Sequence, residues 1–226
     1  MSSNIGDPDP RRRGRPRGFD QRAALEAAMR LFWAQGYAAA SIDVLCRAMH
    51  VPRASLYQGY GDKQGLFLAV VAHYVETRIG TVVATLDGGH DLATDVAGFF
   101  AAVIALATAD AQTPGCLVSC VLADAAGANP RFRAELGARF EAIEARLADR
   151  LLRAQAEGDL AASADPMVLG GMLAALARGL MVRARAGSEA ALLRPLAEAA
   201  IALVCRPPMP RLSARGQPRR RVALQP

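Results

Sequence analysis

One stretch constrains this chain more than any other: Ser41 to Tyr60, SIDVLCRAMHVPRASLYQGY. Ile42, Leu45, Cys46 and Met49 recur at i, i+3, i+4 and i+7, the apolar face of a short helix. Ser41 stands just before that face, where a hydroxyl can cap an orphan backbone N–H. His50 and Val51 interrupt the pattern. Pro52 cannot continue the first helix but can open another. The second helix turns Leu56 inward and leaves Arg53, Ser55, Tyr57 and Gln58 on other faces. Two short helices joined by such a turn make a helix-turn-helix, whose second helix fits a DNA major groove about 12 Å wide. The same pattern also suits an ordinary αα-hairpin in a helical bundle.

The residues that follow narrow the choice. Leu56, Tyr57, Tyr60, Lys63 and Leu66 match an LY-x-x-F-x-x-K-x-x-L pattern with Tyr60 in place of Phe. In this, and in the order of its first helices, the stretch from Phe19 to Leu68 resembles the N-terminal domain of the tetracycline-repressor (TetR) family of bacterial regulators. The resemblance implies DNA contacts from Ser41, Arg53, Ser55, Tyr57 and Gln58, and a phosphate contact from Lys63. A lone surface lysine is otherwise simply solvated. Two departures stand out. His50 occupies a turn position where the family usually has Gly and where positive φ is needed. Pro52 replaces the usual Ser, Thr or Asn cap, so the recognition helix lacks a side-chain cap.

Charge is concentrated at the ends. Residues 1–19 carry Arg11, Arg12, Arg13, Arg15 and Arg17 against Asp7 and Asp9; residues 206–226 carry six arginines and no acid. With a net charge of +6 for the chain, the body between is net acidic. Both basic runs suit a polyanion better than a core. We expect 1–18 to be a disordered basic arm, 19–66 the DNA-binding domain, 67–205 a ligand-binding and dimerisation domain, and 206–226 a disordered tail. Arg13-Gly14-Arg15-Pro16 resembles the core of an AT-hook, in which a thin cationic strand enters a narrow A·T minor groove. The plain alternative is a solvated leader.

The remaining punctuation predicts an all-α chain of about nine helices. Asp20 caps a first helix that Gly36 stops. Gly61-Asp62 opens a long helix from Lys63 to about Val83. Asp91 opens Leu92–Ala109, and Pro114-Gly115 precedes a helix from Cys116 to about Ala125. Asn129-Pro130 starts a helix ended by Gly158. Glu135–Arg139 and Asp149–Arg153 are favourable i,i+4 pairs on it. Asp165-Pro166 starts another helix, to Arg185, and Ser188 caps the last, with Pro195 as a kink point and an end near Cys205. Gly171, Ala175 and Gly179 form a stripe small enough for a neighbouring helix to approach closely. The resemblance implies that the last two helices pair with those of a second copy, adding Leu196, Ala200 and Leu203 to the interface. An intramolecular contact would use the same stripe.

No catalytic constellation can be assembled. His50, His73 and His90 are scattered, and no metal-ligand spacing or glycine-rich phosphate loop is present, so neither metal nor cofactor is expected. The N-terminus has no apolar run of the signal-peptide kind. The longest uncharged apolar run, Val96 to Ala109, is shorter than the ~20 residues a membrane span needs. Cys46, Cys116, Cys120 and Cys205 make no CxxC pair, which fits a reduced, cytoplasmic protein. Gly115-Cys116-Leu117 resembles a TetR branch in which some members sense electrophiles or oxidants. Cys116 would lie at a helix N-terminus, where the dipole favours thiolate, with Cys120 one turn later. The bland reading is a pair of small core residues.

Together these readings describe a homodimeric regulator, most simply a repressor, on a near-palindromic double-stranded DNA operator. A small molecule or electrophile would release it. Its rivals are a ligand-independent architectural DNA-binding protein and a helical enzyme.

Overall fold

The computed structural model describes residues 20–205; the arm with Arg13 and Arg15, and the basic tail, lie outside the described residues. Nine helices and no strand are present among the described residues. They are α1 (Gln21–Ala39), α2 (Ile42–Met49), α3 (Arg53–Tyr60), α4 (Lys63–Asp87), α5 (Leu92–Thr108), α6 (Leu117–Ala126), α7 (Pro130–Glu157), α8 (Pro166–Arg185) and α9 (Ala190–Val204).

Local chemistry explains most of the boundaries. Asp20, Ser41, Asp62, Asp91, Asn129 and Asp165 each accept a backbone N–H of the turn they open. Pro130 and Pro166 occupy first-turn positions, where no N–H is missed. Gly158 closes α7 in the left-handed conformation. Gly36, at φ 81°, breaks α1 as expected, but one further turn runs on to Ala39. Long α4 reaches Asp87, past the expected Val83, by changing its winding: a π-helical turn over Val75–Ile79, then a 3₁₀ turn over Ala84–Asp87. Residues 66 and 67 both lie within α4 and are fully buried, so one helix runs from the DNA-facing head into the rest of the fold.

Two local expectations are corrected. Ser188 does not cap α9; Glu189 holds that position without a side-chain bond, because the Ser188 N–H turns back to the Arg183 carbonyl. Asp149–Arg153 does not pair, since Arg153 reaches across to the Leu86 carbonyl and the Asp87 carboxylate. Pro195 lies inside α9, which ends at Val204, next to the expected Cys205. The expected Glu135–Arg139 pair is present at 2.7 Å.

The core is continuous from head to tail. In the head, Phe32, Tyr37, Phe67 and Phe132 stack with ring centroids 4.8–6.1 Å apart, and Phe132 comes from α7. Beyond it, α5, α7 and α8 pack together. A Cβ on Gly170 would lie 2.9 Å from the Ala148 nitrogen, so this glycine sets how closely α7 and α8 approach. Asp95 and Arg150, both nearly fully buried, form an ion pair at 2.7 Å. By length and mean hydropathy alone α4 and α8 could each cross a membrane, at 1.4 and 1.5, which extends the sequence estimate based on Val96 to Ala109. Each buries about 39% of its own apolar stretch within the fold.

Candidate functional site

The head presents its polar side chains outward. His50 takes φ 54° and ψ 41°, the left-handed turn between α2 and α3, and is the one non-glycine at positive φ among the described residues. Its N–H bonds the Arg47 carbonyl and that of Val51 bonds Cys46, so two N–H groups of the turn are satisfied. Pro52 provides no side-chain cap for α3, as expected. Leu56 is wholly buried while Arg53, Ser55, Tyr57 and Gln58 are exposed. Arg53 holds Asp43 of α2 at 2.5–2.6 Å. That pair, which the spacing did not reveal, ties the recognition helix to its partner and raises the Arg53 pKa further through the Asp43 hydrogen bond and charge.

Lys63 opens α4. Its ammonium donates to the Ala38 carbonyl at 3.1 Å and sits 4.6 Å over the Tyr37 ring; partial burial lowers its pKa. One of three N–H donors is thus used within the head, and two remain for an outside acceptor. Gly65 follows for a steric reason: a Cβ there would fall 1.9 Å from the Tyr60 carbonyl oxygen.

The second feature is internal. A cavity of about 250 Å³ opens between α4, α5, α6, α7 and α8. Its walls are mostly apolar, with Ile79, Phe99, Val103, Phe140, Ile143 and Met181 prominent. Two π-helical segments, Val75–Ile79 and Leu117–Leu122, contribute to the same cavity. Such segments widen a helix locally and are frequent at functional sites. Cys116 lines the cavity and is buried. Its Sγ occupies the N-cap position of α6 and accepts the Ser119 N–H at 3.5 Å. Cys120 is half-buried and lies outside the lining; burial pushes its thiol pKa up, away from thiolate at neutral pH. All four cysteines are free. Gly115, at φ 83°, is enclosed by the Met181 carbonyl and the Cys120 sulfur, so no larger residue fits the turn into α6.

Trp33 joins the two features. Its indole N–H donates to the Pro114 carbonyl at 3.2 Å, and its own carbonyl accepts from Arg185 of α8 at 3.1 Å. Its ring meets Tyr74 edge-on at 5.0 Å. Burial raises the Tyr74 pKa well above its usual value; the nearby Cys116 sulfur adds to this. Beside this joint, Glu26 of α1 holds His73 at 2.9 Å and Arg78 at 3.2 Å, both on α4. These hydrogen bonds span 47 to 152 residues of sequence, and no local spacing marks them.

The dimer-interface candidates are all at least partly exposed. Ala175, Gly179, Leu196 and Leu203 are exposed, and Gly171 and Ala200 half-exposed. A Cβ on Gly171 or Gly179 would meet nothing within 4 Å, so the intramolecular close contact belongs to Gly170 instead. Met167, Val168, Met172, Val182 and Leu192 extend the same two helices' exposed apolar surface.

A helix-turn-helix head joined by one continuous helix to a cavity-bearing helical body defines a class: a DNA-binding regulatory protein. Comparison with known proteins makes the class specific. Residues 24–70 match the family model described as bacterial regulatory proteins, tetR family, and residues 94–200 match the tetracyclin repressor-like C-terminal domain. The chain is 30% identical over 178 residues to the HTH-type transcriptional repressor ComR of Escherichia coli K12, covering 78% of this chain and 85% of that one. A cysteine mutant of the TetR family regulator CifR, solved with 26-base-pair operator DNA, superposes with a TM-score of 0.75. It is 34% identical, with 83% of this chain and 98% of that chain covered. The reduced form of E. coli NemR shares the fold, with a TM-score of 0.71 at 17% identity over 83% of this chain and 98% of that one. The protein belongs to the TetR family of transcriptional regulators.

Proposed function

We propose that this chain is a cytoplasmic repressor that binds a near-palindromic operator as a homodimer and releases it when its cavity is filled or Cys116 is modified. The observation that carries the reading is the Trp33 joint. It bonds the loop leading to Cys116, which lines the cavity, to the first helix of the DNA-binding head.

The head supplies recognition. Gln58 is the side chain suited to a bidentate contact with adenine; Arg53 would read guanine by exchanging its exposed Asp43 partner for the base. Ser55, Tyr57, Lys63 and the Ser41 end of α2 suit phosphates. The arginine-rich arm, with Arg13 and Arg15, would add minor-groove and phosphate contacts. The body supplies pairing: the apolar surface of α8 and α9, including Gly171, Ala175 and Gly179, would pack against its copy and remove exposed Met, Val and Leu from water. A ligand that prefers one spacing of the two heads shifts the DNA-binding equilibrium only by its differential affinity for the two states.

The test is selection of bound DNA from a random pool with the full-length protein, followed by affinity and mass measurements on the enriched site. A regulator should prefer that site by ~10³-fold or more over random sequence and bind it as a dimer. Its half-sites should be about one turn apart, or a related spacing. Equal affinity for all sequences would overturn the regulator in favour of an architectural protein using its basic ends.

A further inference from the structure

We infer that the cavity takes a small monocarboxylate with an apolar body, its carboxylate held by Arg178; this rests on the ligand-responsive reading above and names the ligand's class. The polar lining decides the class. Arg139, Arg146 and Arg178 line the cavity and no carboxylate does; their partners Glu135, Asp87 and Glu144 stand outside the lining. An apolar space whose charged lining groups are all guanidinium favours an anion at one end of its occupant.

Arg178 is the guanidinium best prepared for it. It donates to Glu144 through one nitrogen only, Nη2, at 2.9 Å. Its planar fork carries five N–H donors, so Nε–H, the two Nη1 hydrogens and the second Nη2 hydrogen remain for a second acceptor. The group lies 4.3 Å from the Phe140 ring centre, and Phe140 also lines the cavity. The Arg178–Glu144 pair is partly exposed and so holds the fork only weakly against a competing carboxylate. Arg139, by contrast, uses both Nε and Nη2 on Glu135.

Size and charge limit the occupant. A volume of 250 Å³ holds about eight water-sized groups, which suits a medium-chain or aromatic monoacid. A dianionic phosphate would place a second charge among apolar walls without a partner.

The position also reaches the head. Arg185 lies seven residues beyond Arg178 on α8, about 10 Å along the axis and on nearly the same face. Arg185 bonds the Trp33 carbonyl. A ligand that draws Arg178 inward acts on the helix that holds the joint.

Octanoate and 1-octanol, equal in chain length and different in charge, are the probes. Calorimetry on the full-length protein measures binding; anisotropy of labelled operator DNA separately reports whether the protein binds DNA at all. Octanoate should bind about tenfold or more tighter than 1-octanol. The preference should vanish in Arg178→Gln and grow in Glu144→Gln, where the competing carboxylate is gone. The second variant keeps the test decisive should the first melt at a lower temperature. Equal binding of acid and alcohol, no binding of either, or a preference retained in a folded Arg178→Gln overturns the carboxylate site; should Arg178→Gln not fold, a preference that fails to grow in Glu144→Gln does so. Each of those can occur with operator binding intact. Loss of DNA binding by the unliganded protein would instead count against the regulator reading alone.

Discussion

The head and the body keep their working groups in opposite places. In the head, Arg53, Ser55, Tyr57 and Gln58 stand in water on a helix of eight residues, and only Leu56 of that helix is buried. In the body, the cavity is internal and assembled from residues as far apart as Val75 and Met181. A surface that meets a partner can be encoded over one short stretch. A space that encloses a ligand needs many helices to agree on their separations. Substitutions around the cavity should therefore act through stability and coupling, and those on the exposed face of α3 through affinity alone.

The largest expected effect is at the buried Asp95–Arg150 pair of the body. Asp95→Ala leaves the Arg150 charge buried without its partner, and should cost ~3–5 kcal/mol by chemical denaturation. Sequence preference on DNA should be retained by whatever protein remains folded. The pair also gives a pH signature. Burial opposes ionisation of Asp95, but hydrogen bonds from Arg150 and His90 and the Arg150 charge prevail and lower its pKa. The folded state therefore holds fewer protons at this site than the unfolded one. The stabilisation is complete above the usual carboxylate pKa and lost as pH falls below it, through the lowered folded value. Asp95→Asn should flatten that acid limb; an unaltered limb would remove Asp95 as its source.

Next comes Cys116, where the body should act on the head. An adduct on Cys116 that outgrows the cavity would overpack its walls at ~1–3 kcal/mol, similar to a typical coupling energy, so alkylation could weaken operator binding ~5–150-fold. Wild type and Cys116→Ser are treated with an alkylating electrophile and their operator affinities measured. Loss in wild type only supports the thiol trigger. Modification of Cys116, confirmed by mass spectrometry, without loss in either protein would leave reversible occupancy as the cavity's only route to the head.

The smallest effect belongs to the head itself. Gln58→Ala should weaken operator binding roughly tenfold, in the lower part of the ~1–3 kcal/mol range of a base-reading pair. Tyr57→Ala should act in the same direction. Thermal stability should stay unchanged, because both side chains are exposed. A lowered melting temperature, or unaltered affinity, would break the contrast between the two regions.

The same contrast governs what the sequence could reveal. Ser41, Asp62, Asn129-Pro130, Asp165-Pro166 and Gly158 act within one turn of their own position, and their spacing was enough to place the ends of helices. Even the awkward His50 turn was readable, because positive φ is a local demand. Contacts across the fold left no periodic mark: Arg153 turned to Asp87 in place of Asp149, and Arg53 found Asp43. The small stripe on α8 was visible, but not that its neighbour Gly170 takes the internal contact. The cavity had no local signature beyond Gly115-Cys116, since its shape depends on five helices meeting.

The placement of Trp33 has an optical consequence. It is the chain's one tryptophan, and nearly buried where the first helix meets the Pro114 carbonyl. Near-ultraviolet emission excited at the red edge of indole absorption therefore comes from a single site, uncoloured by tyrosine. If the joint opens, the indole exchanges a carbonyl acceptor for solvent, and its emission maximum should move to longer wavelength. Stopped-flow recording of that colour change would time the movement of the head in the absence of any label or DNA.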